Sequence, residues 1–192
     1  MLLGLDLAPR KCGWCAGDGA TIPTAGGWRL ESDMEDLDGV MEETRAPLLV
    51  LLRRFQPTAV LYESPILPTN RWKGAAGPVV GSTSQRRAQF AQGAMVEWTC
   101  GQLRREEGWD ITCSEMPLWD LKAALTGDKQ ATKEHMVAMA LKLGIVLPAA
   151  LVDGREDAAD AVGAWLLLLR HHDKDRAAAW DRKIFTPRGA LL

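Results

Sequence analysis

The chain reads as an α/β fold: a five-stranded mixed sheet, an antiparallel meander of three strands followed by parallel strands, flanked by helices. Three observations predict it. Strand-like runs broken by Gly and Pro fill the segment from Leu2 to Glu31. A helix-periodic stretch then leads into one short apolar run, and from Pro117 onward helical spacing dominates.

Leu2 to Ala8 and Lys11 to Gly17 are strands joined at Pro9 and Arg10, and Gly26 to Glu31 is a third after the turn region from Gly17 to Pro23. Ser32 with Glu35 forms a capping box ahead of Met41, Leu48, Leu51, Leu52 and Phe55 at helical spacing, with Pro47 kinking or dividing the helix. Ala59 to Glu63, preceded by Pro57, reads as an inner strand parallel to the first through a right-handed crossover. That connection brings Glu63 beside Asp6. Pro65 to Gly81 is dense in Pro and Gly and reads as a long exposed loop.

Ser84 to Glu107 reads as a helix despite Gly93 and Gly101, and Asp110 to Ser114 as the fifth strand. Three further helices follow: Pro117 to Leu125, Thr132 to Leu143 with Gly144 as its stop, and Arg155 to His172. Residues 1–172 are expected to form one domain, with 173–192 as a charged C-terminal tail, either a frayed helix plus disorder or a partner-binding arm.

At 192 residues, one domain can bury a real core. No run approaches the roughly 18 apolar residues of a membrane span, and the start lacks the basic segment of a signal peptide, so a cytoplasmic protein is expected. The net charge of -2 argues against a uniformly basic nucleic-acid binder, but the charges are segregated. All those from Glu31 to Glu43 are acidic, and all those from Ser64 to Val96 are basic: Arg71, Lys73, Arg86 and Arg87. Cys12 and Cys15 form a C-x-x-C, but Cys100 and Cys113 supply no second pair and no His lies near either, so small semi-buried strand residues are favoured over zinc or redox chemistry.

Four carboxylates carry the functional signal. Asp6 lies within the apolar run from Leu2 to Ala8, and Glu63 ends the run that begins at Ala59. A buried carboxylate without a partner costs roughly several kcal/mol, so each calls for a cation, a donor or a raised pKa. Asp157 and Asp160 are three apart on a helix and share a face, flanked by alanines that allow close packing. The helix dipole alone accounts for acids such as Glu156 and Asp157 at a helix start. It does not account for Asp160, which stands a turn further in, nor for acids on two apolar strands. Oxygen ligands from several elements suit two Mg2+ ions about 4 Å apart, with Mn2+ able to substitute, and phosphodiester hydrolysis uses that arrangement.

The segments Gly4-Leu5-Asp6, Tyr62-Glu63-Ser64-Pro65, Leu121 to Gly127, Lys133 to Val137 and Asp157-Ala158-Ala159-Asp160-Ala161 occur in an order that resembles the RuvC-like Holliday junction resolvases of the RNase H-like nuclease superfamily. The resemblance spans nearly the whole chain to His172 and implies an RNase H-like fold. It also implies a metal-binding catalytic tetrad of Asp6, Glu63, Asp157 and Asp160, with Lys133 near the scissile phosphate and Lys122 on the DNA backbone. The implied activity is that of a homodimer cutting opposed strands of a four-way junction with Mg2+, without a nucleotide cofactor or a membrane. The chain departs from the family in two places: the stretch between Lys122 and Lys133 is lengthened, so that Lys129 competes with Lys133 for the phosphate, and the loop after Glu63 lacks a Phe wedge. That divergence resembles a phage or prophage enzyme.

Arg71, Trp72 and Lys73 place two cations beside a flat ring on the loop, suited to stacking on an unpaired base, or else Trp72 anchors the loop. Arg86 and Arg87 have no acid close in sequence and are candidates for DNA or dimer contact, or else are solvated. Trp98, Trp119 and Trp165 are expected in the core or a dimer interface, and His135, His171 and His172 outside the chemistry. Three other functions stand as alternatives: a less specific nuclease for flaps, forks or RNA-DNA hybrids, a non-catalytic DNA-binding member of the fold, and an actin-like ATPase. The last is opposed by Pro9-Arg10-Lys11 where small residues would approach phosphate.

Overall fold

The computed structural model describes residues 1–65, 82–149 and 154–185. Strands β1 (Leu2–Leu7), β2 (Lys11–Gly17) and β3 (Thr24–Arg29) form the meander. Helix α1 (Leu37–Phe55) leads to β4 (Ala59–Glu63), and α2 (Thr83–Glu107) to β5 (Thr112–Met116). Helices α3 (Leu118–Thr126), α4 (Lys133–Lys142), α5 (Arg155–His172) and α6 (Lys174–Phe185) complete the order. The sheet runs β3-β2-β1-β4-β5, antiparallel through β3, β2 and β1 and parallel through β1, β4 and β5. It is the expected five-stranded mixed sheet flanked by helices. No described helix is long and apolar enough to cross a membrane.

Strand alternation separates two cores. Leu3, Leu5, Leu7, Val60 and Tyr62 face α1 and α2, whereas Leu2, Ala59 and Leu61 face α3, α4 and α5. By the same period Asp6 and Glu63 point toward the α5 layer. Cys12 and Cys15, an odd number of residues apart on β2, are buried in opposite cores and cannot share a ligand.

Helix α5 lies directly on the sheet, and glycines permit this. A Cβ at Gly4 would sit 2.4 Å from Ala161 O and Trp165 N, and one at Gly13 would sit 2.0 Å from Asp157 O. On its outer side α5 receives α3, where a Cβ on Gly163 would meet Leu121 O at 2.4 Å. Trp165, fully buried, donates through Nε1 to Gly17 O at 3.1 Å and so pins the helix to the end of β2.

Three expectations need correction. Ser32 does not cap α1: its backbone N and Oγ donate to the Glu43 carboxylate at 3.1 and 2.8 Å, and Asp36 caps instead, accepting from Gly39 N at 3.1 Å. A carboxylate nearly two turns into the helix outcompetes the local box for the Ser32 groups. Pro47 does not divide α1, which runs as one helix from Leu37 to Phe55. The charged segment after Asp173, expected as a tail, is helical to Phe185 and packed: Ala177, Trp180 and Ile184 are buried against α5. Trp180 meets Trp165 edge-on at 5.2 Å and donates to Gly19 O at 2.8 Å, while Arg170 pairs with Asp181 at 2.6 Å. Its apolar residues at i, i+3 and i+7 make one narrow stripe, easily lost among its charges.

Candidate active site

The parallel register pairs Leu2 with Ala59 and Leu5 with Tyr62, so one step further Asp6 stands opposite Glu63 at the carboxyl ends of β1 and β4. On its other side Asp6 pairs with Gly13, and over Gly13 runs the backbone of Asp157. The two bare glycines therefore bring the first two turns of α5, with Asp157 and Asp160, down onto Asp6. Asp6, Asp157 and Asp160 are all buried, Glu63 partly so.

Their proximity shows in their proton affinities. Burial raises Asp6 well above the ordinary carboxylate value, and Glu63, Asp160 and Asp157 add repulsion. The Asp6 and Glu63 carboxyls are hydrogen-bonded to each other, which lowers Glu63, although burial keeps it raised overall. Burial likewise pushes Asp160 up to about 7, against the pull of Lys133 and Lys122. Lys133 Nζ donates to Asp157 Oδ1 at 3.4 Å and pairs with Glu156 at 3.3 Å. Burial works against its charge, but Asp157, Asp160 and Asp6 outweigh it and raise the ammonium above the ordinary lysine value.

The residues fit a hard divalent cation. Every donor is a carboxylate oxygen, and Asp160 Oδ1 is buried without a hydrogen-bond partner among the described residues. Among those residues no three His, Cys, Asp or Glu side chains are already grouped to hold one ion.

One prediction follows from the raised Asp160. An acid whose folded pKa exceeds its unfolded one binds protons more tightly when folded. Relative to the protonated state, stability is lost as pH rises from the ordinary value of 3.8 through about 7. Metal-free protein should therefore melt at a lower temperature at pH 8 than at pH 5, with Mg2+ or Mn2+ closing the gap. Thermal unfolding with chelator and with added metal checks this, and equal melting at both pH values without metal would refute it.

Of the other candidates, Lys122 lies near enough to Glu63 and Asp160 to lower both. Lys129 instead pairs with Asp120 at 3.2 Å, so it is Lys133 that the fold brings to the carboxylates. Arg86 and Arg87 stand in the first turns of α2, between one and two turns ahead of Gln92, whose Nε2 donates to Ala8 O at 3.2 Å. They belong to the same sheet edge but to the α1/α2 layer. Arg71, Trp72 and Lys73 lie outside the described residues. Sequence reasoning missed Gly4 and Gly13 as the residues that seat α5. Glycine inside an apolar strand was the available signal, since it marks close approach of another backbone.

No family model matches the chain, and no curated protein matches it by sequence. Solved structures do. Thermus thermophilus RuvC is similar with a TM-score of 0.56 and 19% identity over 88% of this chain and 95% of that one. The same protein in complex with Holliday junction substrate gives a TM-score of 0.58 and 20% identity over 92% and 95%. The yeast mitochondrial Holliday junction resolvase Ydc2 gives 0.55 and 12% identity over 93% and 83%. With its β3-β2-β1-β4-β5 sheet and helical layers, the chain is RuvC-like in fold, an RNase H-like architecture shared with Holliday junction resolvases.

Proposed function

We propose that the chain is a divalent-metal-dependent endonuclease that resolves four-way DNA junctions as a homodimer. The observation that carries this is the convergence of Asp6, Glu63, Asp157 and Asp160 from two strands and one helix, with Asp160 Oδ1 buried and without a hydrogen-bond partner among the described residues. Buried carboxylates that raise one another's proton affinity, as those around Asp6 and Asp160 do, are costly to hold for structure alone. The fold shared with two resolvases supports the substrate class.

In this reading the four carboxylates hold two Mg2+ ions, which supply Lewis acidity at the scissile phosphate when bound. Asp6 and Glu63, on adjacent strands, set the positions of their oxygens through the sheet. Asp157 and Asp160 do so through the helix that Gly4 and Gly13 admit. Lys133, close to Asp157, would hold a non-bridging phosphate oxygen, and Lys122 a neighbouring phosphate. Phe90, Trp98 and Val50 are large apolar residues exposed on α2 and α1, the layer away from α5, and a second copy would cover them.

The test is cleavage of a synthetic four-way junction in Mg2+ or Mn2+, beside linear duplex, flap, fork and RNA-DNA hybrid substrates. The expected result is paired nicks at symmetric positions on opposed strands, with little cutting of linear duplex. Preferential cutting of flaps or hybrids would move the assignment to a broader nuclease, and metal-independent junction binding without cleavage would make it a binding protein.

A further inference from the structure

On the β3 side of the carboxylates the same sheet edge carries basic side chains for which neither the metal centre nor Lys122 and Lys133 accounts. Lys11 opens β2 and Arg29 closes β3, and the two are direct partners in the antiparallel register. Both are exposed. Their neighbours Cys12 and Trp28 face the α1/α2 core, so Lys11 and Arg29 point to the α5 side. Arg10, also exposed, occupies the turn before β2, and its carbonyl accepts from Leu30 N at 3.0 Å, which ties the turn to the end of β3. Like charges directly opposite on paired strands are destabilising. Yet among the described residues no carboxylate forms an ion pair with Arg10, Lys11 or Arg29.

The position of this cluster is specific. Lys11 is two residues before Gly13 on the same face of β2, and Gly13 lies beneath Asp157. A repeat of two residues places Lys11 about 7 Å along the strand from the carboxylate cluster. There it forms one wall of a groove of about 480 Å³ whose other walls include Val137, Arg155 and Asp157. Arg155 adds a second cation, and its Nε is buried without a partner among the described residues. Of the acids in the groove, Glu156 and Asp157 are held by Lys133, and Glu134 is turned back on the start of α4 by hydrogen bonds to its own backbone and to Thr132.

Resting on the nuclease reading above, we infer that Arg10, Lys11 and Arg29, with the groove beside them, form a phosphate track that holds the DNA strand where it leaves the carboxylates toward β3. Three exposed cations at the rim and a fourth inside suit a sugar-phosphate backbone, whose contacts position a strand without reading its sequence. Each phosphate neutralised in this way releases counterions and steepens the salt dependence of binding.

The experiment compares wild type with the triple variant Arg10→Ala, Lys11→Ala, Arg29→Ala by fluorescence anisotropy on a labelled four-way junction, without divalent metal, across a salt series. Linear duplex and single-stranded probes run alongside. The log-log salt slope should become shallower by about 2 to 3 in the triple variant. The pair Arg53→Ala, Arg54→Ala, in the last turn of α1 at the opposite sheet edge, should keep the wild-type slope. All three track residues are exposed, so the melting temperature should hold; the corresponding Gln variants serve if it does not. Equal slopes in wild type and triple variant, with wild type cutting junctions, would overturn the track and leave the nuclease reading intact. A slope that depends on the trio only on duplex or single strands would keep the track and remove the junction. Absence of any DNA binding by wild type would remove both.

Discussion

Asp6→Asn should abolish cleavage, keep junction binding, and at the same time make the metal-free protein more stable at pH 8. Asp6 is as deeply buried as Asp160, and burial and three neighbouring carboxylates all raise its proton affinity. An amide of the same shape removes one negative charge and leaves a neutral group that still hydrogen-bonds to Glu63. Because the Asp6 carboxyl is itself raised well above its ordinary value, ionising it costs folding stability as pH rises, and an amide that cannot ionise removes that cost. The same change removes an anionic oxygen on which metal binding depends. Loss of metal-assisted charge stabilisation is worth several kcal/mol, which corresponds to a rate loss on the order of a thousandfold or more. Single-turnover cleavage and thermal unfolding on one preparation check both halves. A variant that cuts at near wild-type rate would remove Asp6 from the chemistry. One that loses both cleavage and stability would make it a structural residue.

Gly13→Val should displace α5 and cost more than about 3 kcal/mol, near the upper end of what overpacking does. The added Cβ would lie 2.0 Å from Asp157 O, 2.1 Å from Asp157 C and 2.4 Å from Ala158 N, all backbone atoms that no rotamer change can move. The helix must lift off the sheet, and Asp157 and Asp160 leave with it. Gly4→Ala meets α5 from the neighbouring strand at 2.4 Å and should act in the same direction. Gly108→Ala is the comparison. Nothing lies within 4 Å of its Cβ, and only the positive φ of 71° is strained, at a cost of about 1 to 2 kcal/mol. Denaturant unfolding of the three variants checks the order. A Gly13→Val protein as stable as wild type would show that α5 is not seated through this contact.

The segments that the sequence makes legible are those whose periodicity is driven by burial. The bounds of β2, β4 and α5 match the expectation, because each has an uninterrupted run against one or two cores. Strand β3 begins two residues earlier than expected and β5 two later. Both are edge strands with few buried residues, where hydrophobic pattern says little about register. The Ser32 cap failed because the competing Glu43 carboxylate lies eleven residues away and reaches Ser32 only once α1 has formed. Helix α6 was obscured because its buried face is three residues set among charges.

The same division runs through the candidate site. Asp6, Glu63 and Asp160 stand out in the chain by themselves, since a carboxylate in an apolar run or beyond the first turn of a helix conflicts with its surroundings unless something binds it, whereas Asp157, in the first turn of α5, is accounted for by the helix dipole and joins them only through the resemblance and the fold. Which lysine accompanies them was decided by tertiary structure. Lys129 and Lys133 are equivalent by composition, but Asp120 holds one and the start of α5 draws in the other. The track of Arg10, Lys11 and Arg29 was likewise invisible, because pairing across β2 and β3 joins residues that lie far apart along the chain. Local patterns record what each residue buries against its own element. The meeting of carboxylates, cations and bare glycine backbone depends on which elements the register and the packing of α5 bring within a few ångströms, and only the folded chain decides that.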